Sequence, residues 1–182
     1  MNTDRIDGTT QRQLAAIAEV AAIGIPVWLR GGWAMDFFLG EVTRAHRDVD
    51  WFAWATDAPG ITAALTGRGW QLLPEPPHDR QLDFVRDGVD LSLALVTTAG
   101  DDGTVVVAGG PWAGSAWPAG MLDWPAGRIG ELRCAIVSPY AQIEIKRMMP
   151  AWAGLPRRPK DAEDVARLEA ALAAPPHRPR GG

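Results

Sequence analysis

Two aspartates separated by one residue, Asp48 and Asp50, sit in the run Arg47-Asp48-Val49-Asp50-Trp51-Phe52-Ala53-Trp54. The apolar neighbours read as a strand, and on a strand an i, i+2 spacing puts both carboxylates on one face, where hard oxygen ligands suit Mg²⁺ and the phosphates it accompanies. An acid pair in so apolar a run is costly without a cation or an arginine to compensate it. Upstream, Gly31 and Gly32 follow the apolar run Ile25-Pro26-Val27-Trp28-Leu29. Glycines there permit positive φ and close backbone approach, so that bare N–H groups at a helix start can face an anion. Between the two features lies Thr43-Arg44-Ala45-His46-Arg47. Arg44 is suited either to a phosphate oxygen or to pairing with Asp48, and His46 to holding the loop by a hydrogen bond.

The string Gly-Gly-Trp-Ala-Met-Asp at 31–36, followed by Gly-x-x-Thr-Arg-x-His-x-Asp-x-Asp at 40–50, resembles the core signature of the small antibiotic nucleotidyltransferases. These are the aminoglycoside 2''-adenylyltransferases and lincosamide nucleotidyltransferases of the polymerase-β-like superfamily. Weaker echoes fall at Val89-Asp90-Leu91, at Lys146 and at Lys160-Asp161 to Asp164. The resemblance implies a catalytic set of Asp48, Asp50 and Asp90, with Asp48 and Asp50 holding one or two Mg²⁺ and Asp90 as the third acid and base. It also implies nucleotide contacts from Gly31, Gly32, Arg44 and Lys146, and ATP or another nucleoside triphosphate as co-substrate. Asp36 matches the family pattern too, and on the residues alone it is equally well a surface or helix-orienting side chain. Lys146, beside Glu144 and Arg147, reads either as surface charge or as a phosphate contact. Asp161 reads as a helix cap, and with Asp164 it suits the positive end of a helix dipole.

The elements that must position these groups are legible from periodicity. Residues 9–23 form a helix with Thr10 as cap, 26–30 a strand, 33–39 a helix stopped by Gly40, and 49–54 a strand apolar enough to lie centrally in a sheet. Residues 58–67 are helical, 70–73 a short strand. Asp87-Gly88 joins the strands 82–86 and 89–95 as a hairpin, with Asp90 and Ser92 facing away from Val89, Leu91 and Leu93. Were that strand to pair beside the Asp48 strand, Asp90 would complete three carboxylates. A strand at 104–108, another at 132–137, a helix opened by Ser138-Pro139, a loop bounded by Pro150 and Pro156, and a last helix from Lys160 complete the reading.

These elements compose an α/β (α+β) architecture, a short, mixed, mostly antiparallel sheet flanked by helices, which the resemblance implies is the nucleotidyltransferase fold. Residues 1–174 are expected to form one domain, and the Pro/Gly/Arg tail 175–182 to lack fixed structure. With 182 residues, 47% of them hydrophobic, the chain is large enough for a real core. One cysteine excludes an internal disulfide, and three histidines give no zinc pattern. No run approaches the roughly 18 apolar residues of a membrane span, and a cytoplasmic protein without membrane contact is expected.

A net charge of −4 argues against nucleic acid as partner and favours a cationic small molecule, which the resemblance implies is a hydroxylated acceptor. The acids Glu75, Asp79, Asp83, Asp87 and Asp90 fit such an acceptor or a solvated hairpin. Of nine tryptophans, Trp112, Trp117 and Trp124 are candidates for one wall of its site. The expected activity is Mg²⁺-dependent transfer of a nucleoside monophosphate, AMP from ATP, to a hydroxyl of an aminoglycoside- or lincosamide-like molecule. The alternatives are a toxin-type nucleotidyltransferase acting on tRNA or protein, and a non-catalytic nucleotide-binding module.

Overall fold

The computed structural model describes residues 7–154, 156 and 158–174. The expectation for the tail 175–182 therefore lies outside the described residues.

The chain opens with α1 (Gly8–Ala21), β1 (Val27–Arg30), α2 (Gly31–Leu39) and β2 (Val49–Trp54). The α1 cap is Asp7, whose Oδ1 accepts from the backbone N–H of Thr10 at 2.7 Å, and not Thr10 as expected. Either side chain satisfies an orphan donor of the first turn, but the ionised acid also suits the helix dipole. Helix α2 starts at the glycines themselves and ends at Gly40, whose φ of 85° is left-handed. Then follow α3 (Ala58–Thr66), β3 (Gln71–Leu72), β4 (Gln81–Arg86), β5 (Val89–Ala99), β6 (Thr104–Val107), β7 (Gly127–Ile129), β8 (Leu132–Cys134), α4 (Pro139–Ala153) and α5 (Pro159–Ala173).

Helix α4 runs through Pro150, which had been expected to bound a loop. Proline in its last turn sacrifices a single i→i−4 bond, a cost a helix end absorbs. The strand expected at 132–137 is shorter. It stops at Cys134, after which Leu29 bridges Ile136 in parallel.

The main sheet has the order β1-β2-β5-β4-β3, with β6 on the far end of β5. All pairings are antiparallel except β2 with β5, which are parallel. The architecture is thus mixed and mostly antiparallel, with flanking helices. The hairpin at Asp87 and Gly88 has φ of 51° and 74°, the two positive values a tight two-residue turn demands.

Registers show why the two faces differ. Leu29, Trp51, Leu93 and Leu82 stand in one row, with Val27, Ala53 and Leu95 beside them and Val49, Leu91 and Phe84 beyond. These side chains are buried, and Ile17 and Val20 of α1 and Ile61 and Leu65 of α3 pack into the same core. The opposite face carries a second, smaller core in which Phe52 and Val96 meet Trp117, Met121, Val137 and Ala141. The row next to Phe52 on that face is polar: Arg30, Asp50, Ser92 and Asp83, one from each of β1, β2, β5 and β4. No helix among the described residues is long and apolar enough to cross a membrane.

Candidate active site

The polar row borders a cleft of about 440 Å³ whose lining includes Arg30, Gly31 and Asp50 from the sheet side, Gln142, Lys146 and Met149 from α4, and Arg158 and Asp161 at the start of α5. Asp50 is half-buried and accepts no hydrogen bond within the described residues, so its oxygens are free for a ligand. Burial raises its pKa above the ordinary carboxylate value; the charges of Asp48 and Asp83 add to that, while Arg30 and Lys160 oppose it.

Asp48, one residue before β2, is exposed. Extending the β2–β5 register back by one position sets Asp48 level with Asp90, which is also exposed, on β5 opposite Val85. The sheet therefore places Asp48, Asp50 and Asp90 along one edge of one face. They do not converge into a three-ligand metal cluster among the described residues. Magnesium needs no such cluster, since one or two carboxylates plus substrate phosphates complete its octahedron. A half-buried acid with free oxygens beside an exposed one fits that donor set.

Gly31 has φ of 70°, a left-handed value that favours glycine, and a Cβ there would lie 3.3 Å from Asp50 Oδ2. The glycine turn therefore lies close against Asp50. At Gly32 an added Cβ would sit 2.5 Å from His46 Nδ1 and 2.8 Å from Arg44 Nη2. Its bare backbone is required by the folded-back loop in front of it.

That loop is tied down at both ends. Asp36, fully buried rather than at the surface, accepts from the Thr43 backbone N–H at 3.1 Å and from Thr43 Oγ1 at 2.6 Å. His46 Nε2 approaches its carboxylate at 2.6 Å. The other ring nitrogen, Nδ1, lies 3.1 Å from Arg44 Nη1, so the arrangement is satisfied when Nε2 carries the proton and Nδ1 accepts from the guanidinium. Gln13 of α1 donates to the His46 carbonyl, and the imidazole lies 4.5 Å from the Trp33 ring.

Arg44 does not pair with Asp48 among the described residues. Its Nη2 donates to Asp164 of α5 at 2.9 Å, and Lys146 Nζ donates to the same oxygen at 2.8 Å while lying 3.6 Å from Asp161. Asp164 is 1% exposed. Burial pushes its pKa up, but the bonds and charges of Arg44 and Lys146 outweigh that and hold it below the usual value. Asp161 does not cap α5, since Arg158 occupies the cap position. It accepts instead from Arg158 Nε at 2.8 Å. Burial raises its pKa too, and the bond from Arg158 with the charge of Lys146 turns the net shift downward.

Sequence spacing gives Arg30 no role beyond ending a strand, and gives Asp83 only a share in the acidic field of the hairpin. Asp83 accepts from Ser92 Oγ at 2.7 Å and Gln81 Nε2 at 2.8 Å on the row that holds Asp50. The period-2 alternation of the two strands was the signal that could have found it. Of the three tryptophans expected as one wall, two share a cluster: Trp112 stacks on Trp152 at 5.9 Å, and Trp117 lies 5.5 Å from the same Trp152 and meets Phe52, while Trp124 packs apart between Phe38 and Tyr140. None of them lines the cleft described here.

Comparison with known proteins follows this geometry. Residues 13–168 match the family model described as aminoglycoside-2''-adenylyltransferase. A 2''-aminoglycoside nucleotidyltransferase of Escherichia coli is 26% identical over 148 residues, 68% of this chain and 84% of the relative. One from Klebsiella pneumoniae is 26% identical over 172 residues, 81% of this chain and 95% of the relative. Among solved structures, ANT(2'')-Ia in complex with adenylyl-2''-tobramycin is similar with a TM-score of 0.70 at 21% identity, over 89% of this chain and 90% of that one. The lincomycin-bound lincosamide adenylyltransferase LnuA gives 0.64 at 17%, over 92% and 99%.

Proposed function

Because the chain belongs to the aminoglycoside-2''-adenylyltransferase family, we propose that it transfers a nucleoside monophosphate, AMP from ATP, to a hydroxyl of a small cationic acceptor of the aminoglycoside or lincosamide kind. The observation that carries this reading is Asp50. It is a half-buried carboxylate with free oxygens, touching the glycine turn at the head of α2 and facing a cleft lined by Arg30 and Lys146.

Asp48 and Asp50 would hold Mg²⁺, which when bound neutralises charge on the phosphoryl oxygens and on the departing pyrophosphate. Gly31 and Gly32 present backbone N–H groups at the positive end of α2 to the phosphates. Lys146 is held in the cleft by Asp161 and Asp164, so its charge is oriented before a nucleotide arrives. Arg44 braces the loop that carries Asp48 through the same Asp164 and contributes positive charge behind the glycines. Asp90, exposed and level with Asp48, accepts the proton of the acceptor hydroxyl as that oxygen attacks the α-phosphorus. The new P–O bond forms as the bond to the bridging oxygen breaks, and pyrophosphate leaves. Asp79, Asp83, Asp87 and Asp90 on and around the β4–β5 hairpin supply the negative field that an amine-rich acceptor seeks.

The test is incubation with Mg²⁺, each of the four nucleoside triphosphates and a panel of aminoglycosides and lincosamides, read by mass spectrometry. One monophosphate adduct with ATP is expected. Its absence across the panel overturns the reading. Asp90→Asn should lower adduct formation by about 10²–10⁴-fold while Mg²⁺-ATP affinity, measured by calorimetry, changes little. Affinity lost as severely as in Asp50→Asn would move Asp90 into the metal site.

A further inference from the structure

Among the described residues, three cations line the cleft: Arg30, Lys146 and Arg158. Two are already engaged, Lys146 with Asp164 and Asp161, and Arg158 with Asp161. Arg30 is different. Its Nε–H is buried without a hydrogen-bond partner, and among the described residues no carboxylate forms an ion pair with its guanidinium.

The side chain is nonetheless held in place. Its Cζ lies 4.8 Å above the ring of the fully buried Phe52, a cation–π contact that fixes the stem and leaves the N–H fork free. The backbone of Arg30 pairs with Asp50 across the β1–β2 ladder. The residue also occupies the cap position of α2 in extended conformation, and its side chain makes no capping bond. The fork therefore stands where three features meet: the positive end of a helix, the free carboxylate of Asp50 and an open cleft.

An unpartnered, partly buried guanidinium is an expensive arrangement unless something supplies acceptors for it. A planar fork of five donors matches the oxygens of a phosphate chain. Asp50 is not that acceptor in this structure: the charge of Arg30 acts on it across the shared sheet row, but the two form no ion pair.

We propose that Arg30 is the arginine that grips the phosphate chain of the nucleotide, its fork taking non-bridging oxygens at the head of α2 while Asp50 faces the accompanying cation. This deepens the nucleotidyltransferase reading and rests on it. The cations picked out by the sequence pattern, Arg44 and Lys146, then act chiefly as the brace that ties α4, α5 and the 43–48 loop together. Arg30 supplies the uncommitted charge.

The experiment is calorimetry on the full chain with Mg²⁺ and three probes: ATP, inorganic pyrophosphate and adenosine. Arg30→Met keeps a stem over Phe52 and removes the fork. It is expected to weaken ATP and pyrophosphate by roughly 10–100-fold, the range for a hydrogen bond to a charged group, and to leave adenosine unchanged. Arg30→Lys, with the charge but not the fork, should fall between the variant and wild type. Thermal melts check that both variants fold, and Arg30→Lys carries the test if Arg30→Met does not. Pyrophosphate and ATP affinities equal to wild type in a folded variant would overturn the proposal, as would an equal loss for adenosine. Should the wild type itself bind neither pyrophosphate nor any nucleoside triphosphate, the underlying nucleotidyltransferase reading falls instead.

Discussion

Asp164→Asn isolates the cost of the brace behind the cleft. Asp164 is 1% exposed and receives both Arg44, 25% exposed at its side chain, and Lys146, 11% exposed. The amide keeps the shape and can still accept one bond, but it cancels the charge that both cations share. Removing one partner of a fully buried ion pair costs about 3–5 kcal/mol; here the cations are partly solvated and can turn toward water, so about 2–3 kcal/mol is expected. For a chain of this length that corresponds to a fall in melting temperature of roughly 4–12 °C. Because the folded pKa of Asp164 lies below its ordinary value of 3.8, its contribution is fully present above that value and disappears as the pH drops through the folded value. The gap between wild type and Asp164→Asn in urea denaturation should therefore be level across roughly pH 5–8 and close only in acid. Adding Lys146→Met to the variant should cost less than the sum of the single changes, since the double variant no longer buries an unpaired ammonium. A gap of about 0.5 kcal/mol or less at neutral pH, the size expected of an exposed pair, would refute the claim that Asp164 is an organising centre.

Gly32→Ala forces a methyl group into His46 and Arg44, and it should lower stability by about 1–3 kcal/mol in thermal or urea unfolding; an unchanged midpoint would mean the loop has room to retreat. Asp50→Asn should separate stability from function. Its raised pKa means that ionised Asp50 costs folding energy once the pH exceeds the unfolded value, so the uncharged amide should melt slightly higher at pH 7 than wild type while the dependence of ATP binding on Mg²⁺, followed by calorimetry, vanishes. A lower melting temperature with intact Mg²⁺ dependence would contradict both halves.

Local chemistry makes much of this legible in the sequence. The glycine turn, the acid pair and the Asp87-Gly88 hairpin each announce themselves within a few residues, because backbone sterics and side-chain alternation act over that range. The same holds for β2, whose limits match the apolar run at 49–54. Sequence spacing could not show that Arg44 would find Asp164, because those residues are 120 positions apart and meet only after α5 docks. It also left the place of Asp36 open, since burial of a helix carboxylate depends on Thr43 and His46 arriving from the next loop. Arg30 escaped notice for a related reason. At the end of a strand an arginine is unremarkable, and its meaning comes from Phe52 and Asp50 on the neighbouring strand. β7, three residues long, is too short for periodicity to register, although its partner β8 lies within the strand expected at 132–137.

The dependence of the brace on α5 has a consequence for synthesis. On the ribosome the sheet strands and α4 emerge first, carrying Arg44 and Lys146, whereas their shared counter-charge leaves the exit tunnel only with residues 159–173. Until then Arg44 and Lys146 lack the counter-charge that joins them. The nascent protein should thus acquire its sheet before its working centre, and a chain stalled or cut ahead of α5 would hold the loop only through Asp36 and Gln13, more protease-sensitive around residues 41–48 and slow to take up nucleotide.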